Sequence, residues 1–295
     1  MGEALNIKNS EEKKIKILGY SIWRLIAYFL IYSVIGLGLE TVFGIITKGV
    51  VESRQNFLYG PFCSIYGVGA IVMILFLKFF NKNNNTLFIG GCIIGSLTEY
   101  IISYLGEIFF NIVWWDYSNI PVNVNGRICV LYSIFWGLLA IYLISYVNPK
   151  IDKLINFIKG KFSEKTLKIV IVLFVIFLIF NFFISSFALK LFYIRIIHEN
   201  DLKVENREEI DMQYEDIENN EILKKIIEIF FNDKRMIQTY PNLKVIDLDG
   251  RVWYFTEFLP DIQPYFYKFN ITIKNEIESI FKFKTENEKN VVNEI

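Results

Sequence analysis

Five apolar runs constrain this chain more than any other feature. They cover residues 22–47, 60–80, 86–110, 127–147 and 167–189. A helix needs about 20 mainly apolar residues to cross a bilayer, and every run meets that length. The composition agrees: 53% of residues are hydrophobic and 17% aromatic, more apolar than an ordinary soluble domain. The expectation is an all-α polytopic membrane protein with about five transmembrane helices. Spans one to four (22–147) form a four-helix core, and the fifth is a tether. The first run is too long for a cleavable signal peptide and lacks a small-residue cleavage site.

Lys and Arg in short loops stay on the cytoplasmic side and set orientation. Lys8, Lys13, Lys14 and Lys16 precede the first run, and Lys78 and Lys82 close the second. Lys150, Lys153, Lys159, Lys161, Lys165 and Lys168 follow the fourth. The two remaining loops carry only Lys48, Arg54 and Arg127. Alternation therefore predicts a cytoplasmic N-terminal segment (1–21) and a Lys-rich cytoplasmic loop (148–166). The segment WWDYSNIPVNVNGR, residues 114–127, is then extracytoplasmic. With five spans the tail is expected outside too. Charge divides along the chain: residues 1–198 hold 18 Lys and Arg against 10 Asp and Glu, and residues 199–295 hold 13 against 21. Such a split predicts two regions in different surroundings.

The fifth span and an amphipathic exit occupy 167–198. The acidic tail, 199–295, reads as a small α+β module. EILKKIIEIFF has the period of an amphipathic helix. NLKVIDLDGRVWYFTEF reads as a hairpin with Asp249-Gly250 at its turn. YFYKFNITI is a further strand candidate, and ENREEIDMQYEDIENNE is a solvated helix face or a linker. Asp247 to Gly250 lacks the further ligands of a calcium loop. Cys63, Cys92 and Cys129 have no metal-like spacing and read as buried small residues. His198, the single histidine, reads as an interfacial residue. No metal and no cofactor is expected.

Ionisable groups inside a span cost roughly 2.5–3.5 kcal/mol at mid-helix and mark candidate sites. Glu40, Glu99 and Glu107 are such groups. The helical rise places them about 27, 20 and 32 Å from the inner ends of their spans. The outer loops add Arg54, Asp116 and Arg127. These six are expected to meet in a polar pocket in the outer half, with the inner half almost bare of charge. Tyr59, Gly60 and Pro61 open the second span. Pro61 suits the first position of a helix, where no N–H is needed, and that end favours an anion. Trp114, Trp115 and Tyr117 suit the outer interface. With Asp116 and Arg127 they make the loop an expected lid over the pocket. The plainer alternative is that Glu–Arg pairs lock helices and the rings form an interfacial belt.

GLGLETVF, RQNFLYGPFCSIYGVGA, TEYIISYLGEIFF and WWDYSNIPVNVNGRICVLYSIFWGLL follow one another in this order. Together they resemble the bacterial ABC-transporter type IV family, the CmpB-like permeases, over about residues 25–147. Gln55-Asn56 follows Arg54 where the family has Arg-Gly, and Ser64 follows Cys63 where Pro is common. Neither departure touches the charged set. The resemblance implies a permease-like subunit of a bacterial cell membrane. The chain has no G-x-x-x-x-G-K-[ST] phosphate loop, so a separate ATPase subunit would have to dock. Two other classes stay open: an interfacial enzyme on a lipid-linked or envelope substrate, and a membrane-anchored sensor or assembly protein. No nucleophile–base set supports the enzyme. Nucleic-acid binding is not expected, because the one basic cluster has no interleaved aromatics.

Overall fold

The computed structural model describes residues 16–110 and 113–269. A small hairpin, β1 (Lys16–Ile17) and β2 (Tyr20–Ser21), leads into α1 (Ile22–Lys48). Next come β3 (Val50–Glu52), α2 (Ser64–Phe76) with a tight final turn to Phe79, and α3 (Asn84–Phe110). A second hairpin, β4 (Asn123–Val124) and β5 (Ile128–Cys129), precedes α4 (Val130–Tyr142). A π-helical stretch, Leu143–Val147, joins α4 to α5 (Asn148–Lys161), and α6 (Glu164–Glu199) follows. The tail contains α7 (Arg207–Glu218), α8 (Glu221–Phe230) and α9 (Asp233–Thr239). It continues with β6 (Lys244–Ile246), β7 (Val252–Tyr254), α10 (Phe255–Phe258) and β8 (Tyr265–Lys268).

The chain is a multi-pass membrane protein. Among the described residues, four helices are long and apolar enough to cross a bilayer: Ile22–Lys48, Asn84–Phe109, Val130–Lys161 and Glu164–Glu199. Their outward faces leave Leu39, Val42 and Ile46 of α1 and Ile93, Leu97 and Ile101 of α3 exposed. Rows like these suit hydrocarbon and would be costly in water. The expected second span is a shorter apolar helix, Ser64–Phe79. Pro61 does not open it. The helix begins at Ser64, whose N–H is taken by Asn56 Oδ1 at 2.6 Å. Residues ahead of it are pinned elsewhere. The Leu58 N–H donates to Ser185 Oγ at 2.7 Å and the Tyr59 N–H to Asn181 Oδ1 at 3.2 Å. Gly60, at φ +82°, then turns the chain as few other residues can. The Lys-rich stretch expected as a loop is helical over Asn148–Lys161 and continues α4.

Two cores organise the molecule. The first lies among α1, α2, α3, α4 and α5, around Tyr28, Met73, Ile74, Leu87 and Ala140. The second surrounds the last turns of α6, where Phe192, Ile196 and Ile197 meet Ile237 and Phe255 of the tail. At about 1.5 Å per residue, the 36 residues of α6 span roughly 54 Å. The helix is therefore long enough to cross a bilayer and still form the tail's centre. The expected hairpin is present: β6 pairs antiparallel with β7, with Val245 opposite Trp253. Asp247 holds its turn by accepting the N–H groups of Asp249 and Arg251 and the indole N–H of Trp253. Within YFYKFNITI, Tyr265–Lys268 form β8. It pairs antiparallel with β3 beside α1, with Val51 opposite Tyr267. The last four residues of YFYKFNITI lie outside the described residues.

These contacts sort the loops. The end of α1, the connection before α2 and residues 113–129 share one end with the tail, where Val113 bridges Lys244. The start of α1, the turn before α3 and α5 share the other, where Arg24 pairs with Asp152.

Candidate functional site

A cavity of about 550 Å³ opens at the tail end. Three charged residues reach it from three separate elements: Glu40 on α1, Arg54 after β3, and Glu99 on α3. The tail supplies residues 239–243 to the same wall.

Glu99 is 5% exposed. The Tyr117 hydroxyl donates to its Oε1 at 2.8 Å, and the Trp136 indole N–H donates to its Oε2 at 3.0 Å. The described ion pairs at this end involve Glu40, Glu52 and Glu107, and none involves Glu99. Burial, reinforced by this carboxylate, pushes the Tyr117 phenol up, so it remains a donor. Glu40 accepts the Tyr66 hydroxyl at 2.6 Å, and its other oxygen lies 3.9 Å from Arg54 Nη1. Arg54 is held more closely by Glu52, with Nη2 2.7 Å from Oε1. That same oxygen takes Lys48 Nζ at 2.8 Å and Asn242 Nδ2 at 3.3 Å. Arg54 Nε has no acceptor among the described residues.

The other expected residues lie apart. Glu107 Oε2 pairs with Arg127 Nη1 at 2.5 Å, and neither lines the cavity. Arg127 also lies over the rings of Tyr100 and Tyr104. Asp116 accepts the N–H and hydroxyl of Ser118 at 2.9 and 2.6 Å and so shapes its own loop. Gly126, at φ +65°, lies beside it: a Cβ there would come within 2.6 Å of Asp116 Oδ1. Trp114, Trp115 and Tyr117 do line the cavity. The Trp115 indole N–H donates to the Arg127 carbonyl at 3.0 Å. The loop thus turns its rings toward the cavity and its two charges toward its own scaffold. Tyr59, Gly60 and Pro61 belong to the pinned connection, with Arg235 over the Tyr59 ring.

Sequence reasoning missed several members of this end. Glu52 lies just outside an apolar run. Tyr66 and Trp136 are aromatic residues within spans, where rings are common. Asn242 gave no sign that it would meet Lys48, its partner 194 positions away at 2.7 Å.

A second polar cluster, also missed, occupies the α5 end. Asp152 Oδ1 accepts from Arg24 Nη2 at 2.7 Å and from the Tyr28 hydroxyl. Arg24 Nε also reaches Tyr28 Oη at 3.0 Å, and the Tyr32 hydroxyl donates to Asn148 Oδ1 at 3.0 Å. The α5 end is therefore not bare of charge, because α5 brings an acid against the start of α1.

Among the described residues no three His, Cys, Asp or Glu gather as metal ligands. The described geometry offers charged and hydrogen-bonding groups among aromatic walls, suited to binding a small polar molecule. A family model described as "Putative ABC-transporter type IV" matches residues 27–186, more than half of the 295. The match runs past the motifs at 25–147 and takes in Asn181 and Ser185 of α6. No curated protein and no solved structure matches the chain.

Proposed function

Because the chain belongs to the ABC-transporter type IV family, we propose that it is the permease-like subunit of a transport system in a bacterial cell membrane. In this reading, the cavity bearing Glu40, Arg54 and Glu99 is the substrate site. The observation that carries it is the convergence of those three charges on one cavity at one end of the bundle. Intramembrane charge that faces a cavity is characteristic of a pathway. The tail end faces outward and α5 faces the cytoplasm, as the Lys distribution supports. A separate ATPase docks at the α5 end, where Lys150, Lys153, Lys159 and Lys161 lie on one helix.

Two measurements test this. Purification from native membranes in mild detergent is expected to recover an ATP-hydrolysing partner. Repeated recovery of the chain without one overturns the transport reading. Orientation is tested with Gln55→Cys, a cavity position, after Cys63, Cys92 and Cys129 are changed to Ser. A membrane-impermeant maleimide should label it in intact cells. Labelling only after lysis reverses the orientation.

A further inference from the structure

We infer that the cavity takes an organic cation, an ammonium- or phosphonium-type group seated at Glu99 against the Tyr66, Tyr117 and Trp136 rings. This rests on the reading of the cavity as the substrate site. Three observations lead to it.

The first is charge. Glu40, Glu99 and Arg54 are the only ionisable acid or base side chains among the lining residues apart from tyrosines and a cysteine, and formally they sum to one negative charge. Arg54 is already engaged, 2.7 Å from Glu52. Glu99 has two hydrogen-bond donors and no described basic partner. An ionised carboxylate has about four lone-pair positions, so two donors leave room for a further contact. Ionising a buried acid without a countercharge is costly, and a bound cation offsets much of that cost.

The second is the wall. Tyr117 and Trp136 both hydrogen-bond Glu99, so the donor edges of their rings meet the carboxylate, and Tyr132, another lining residue, stacks on Tyr117 at 4.6 Å. The Tyr66 ring lies 6.5 Å from that of Trp136. Aromatic faces attract cations and not anions, most strongly away from water.

The third is size and ligand count. About 550 Å³ holds a drug-sized molecule. The absence of a metal-like group of ligands among the described residues argues against a bare metal ion. An organic cation needs only one carboxylate and the ring faces.

The test uses a pair of ions of nearly equal shape and opposite charge. The full-length protein in detergent is titrated by equilibrium dialysis with tetraphenylphosphonium and with tetraphenylborate, against empty micelles. Saturable binding of the phosphonium alone is expected. Glu99→Gln should weaken it about tenfold or more, the scale of one charged contact. Glu40→Gln is the second variant, in case Glu99→Gln does not fold, and should weaken it less. Equal binding of both ions overturns the inference. So does phosphonium binding unchanged in both variants. ATPase recovery and Gln55→Cys labelling judge the transport reading separately. If those hold and cation selectivity fails, only the ligand class falls. If the cation binds and no ATPase is found, the ligand class stands without the transport reading.

Discussion

The two ends of α1 present the same kinds of side chain and different outcomes. At the α5 end, Arg24, Tyr28 and Tyr32 follow one another at four-residue spacing along one face of the helix. They all meet the single helix α5, at Asp152 and Asn148. Donors at i and i+4 on one helix are in register with a neighbour that runs alongside it. The cluster therefore closes on itself. At the tail end, Glu40, Arg54 and Glu99 come from separate segments, and Arg54 stands 3.9 Å from Glu40. The partners do not share a helical repeat, and a cavity remains among them. Polar groups on two adjacent helices make a lock, whereas polar groups gathered from loops, spans and tail leave a space.

The sharpest way to break this comparison is Asp152→Ala. It removes the acceptor shared by Arg24 and Tyr28. Arg24 and Asp152 are about a quarter to a third exposed, so solvent recovers part of the loss. A destabilisation of about 2 kcal/mol is expected, read as a lower unfolding temperature in detergent. Phosphonium binding should not change. Lost binding with unchanged stability would reverse the roles given to the two ends.

Gly126→Ala probes the loop whose rings line the cavity. It forces a side chain into a left-handed backbone conformation and against Asp116. A cost of about 1–2 kcal/mol is expected. Tryptophan fluorescence should shift as Trp114 and Trp115 rearrange. An unchanged spectrum and melt would mean that this turn does not position those rings.

The division into lock and cavity was only partly legible in the sequence. The lengths of α1 and α3 were legible because hydropathy sums over some twenty residues and tolerates single errors, whereas the second run gives only the shorter helix Ser64–Phe79 and the fourth continues to Lys161. The hairpin was legible because Asp249-Gly250 is a local signal, and Gly250 does adopt φ +78°. Glu40, Arg54 and Glu99 stood out because charge in an apolar run is conspicuous. Asp152 did not, because four Lys around it made the stretch look like a solvated loop. Its helix carries Ile151 and Ile155 into the core, a four-residue spacing that was there to read. Asn181 and Ser185 are polar residues within the span expected to be a tether. Their own four-residue spacing was the trace of a buried face, and both are fully or nearly fully buried. Nothing local signals that residues 239–243 line a cavity formed with α1, since that contact depends on how α6 returns the chain to the membrane core.

A smaller effect is expected from Asn242→Ala, which removes a tail contact with both Lys48 and Glu52. Each bond is exposed or half-buried, so the stability change should be about 1 kcal/mol or less. The comparison predicts a clearer effect on access. Gln55→Cys should react faster with maleimide when the tail is less firmly tied to α1. An unchanged rate would mean that the tail contributes wall but not closure.

The smallest expected effect is confined to acid pH and concerns the tail itself. Asp211 accepts hydrogen bonds from the His198 ring and from Arg207, which hold its carboxyl below the usual aspartate range. A carboxyl lowered in the folded state stabilises fully above its unfolded value of about 3.9. That contribution fades as pH falls through the lower folded value. Asp211→Asn removes it. The variant should melt slightly below the parent at neutral pH, and the gap should close as pH drops below about 4. A gap that stays open in acid for Asp211→Asn would place its effect in packing against Tyr214, whose ring stacks on His198 at 3.8 Å, and not in the carboxylate's charge.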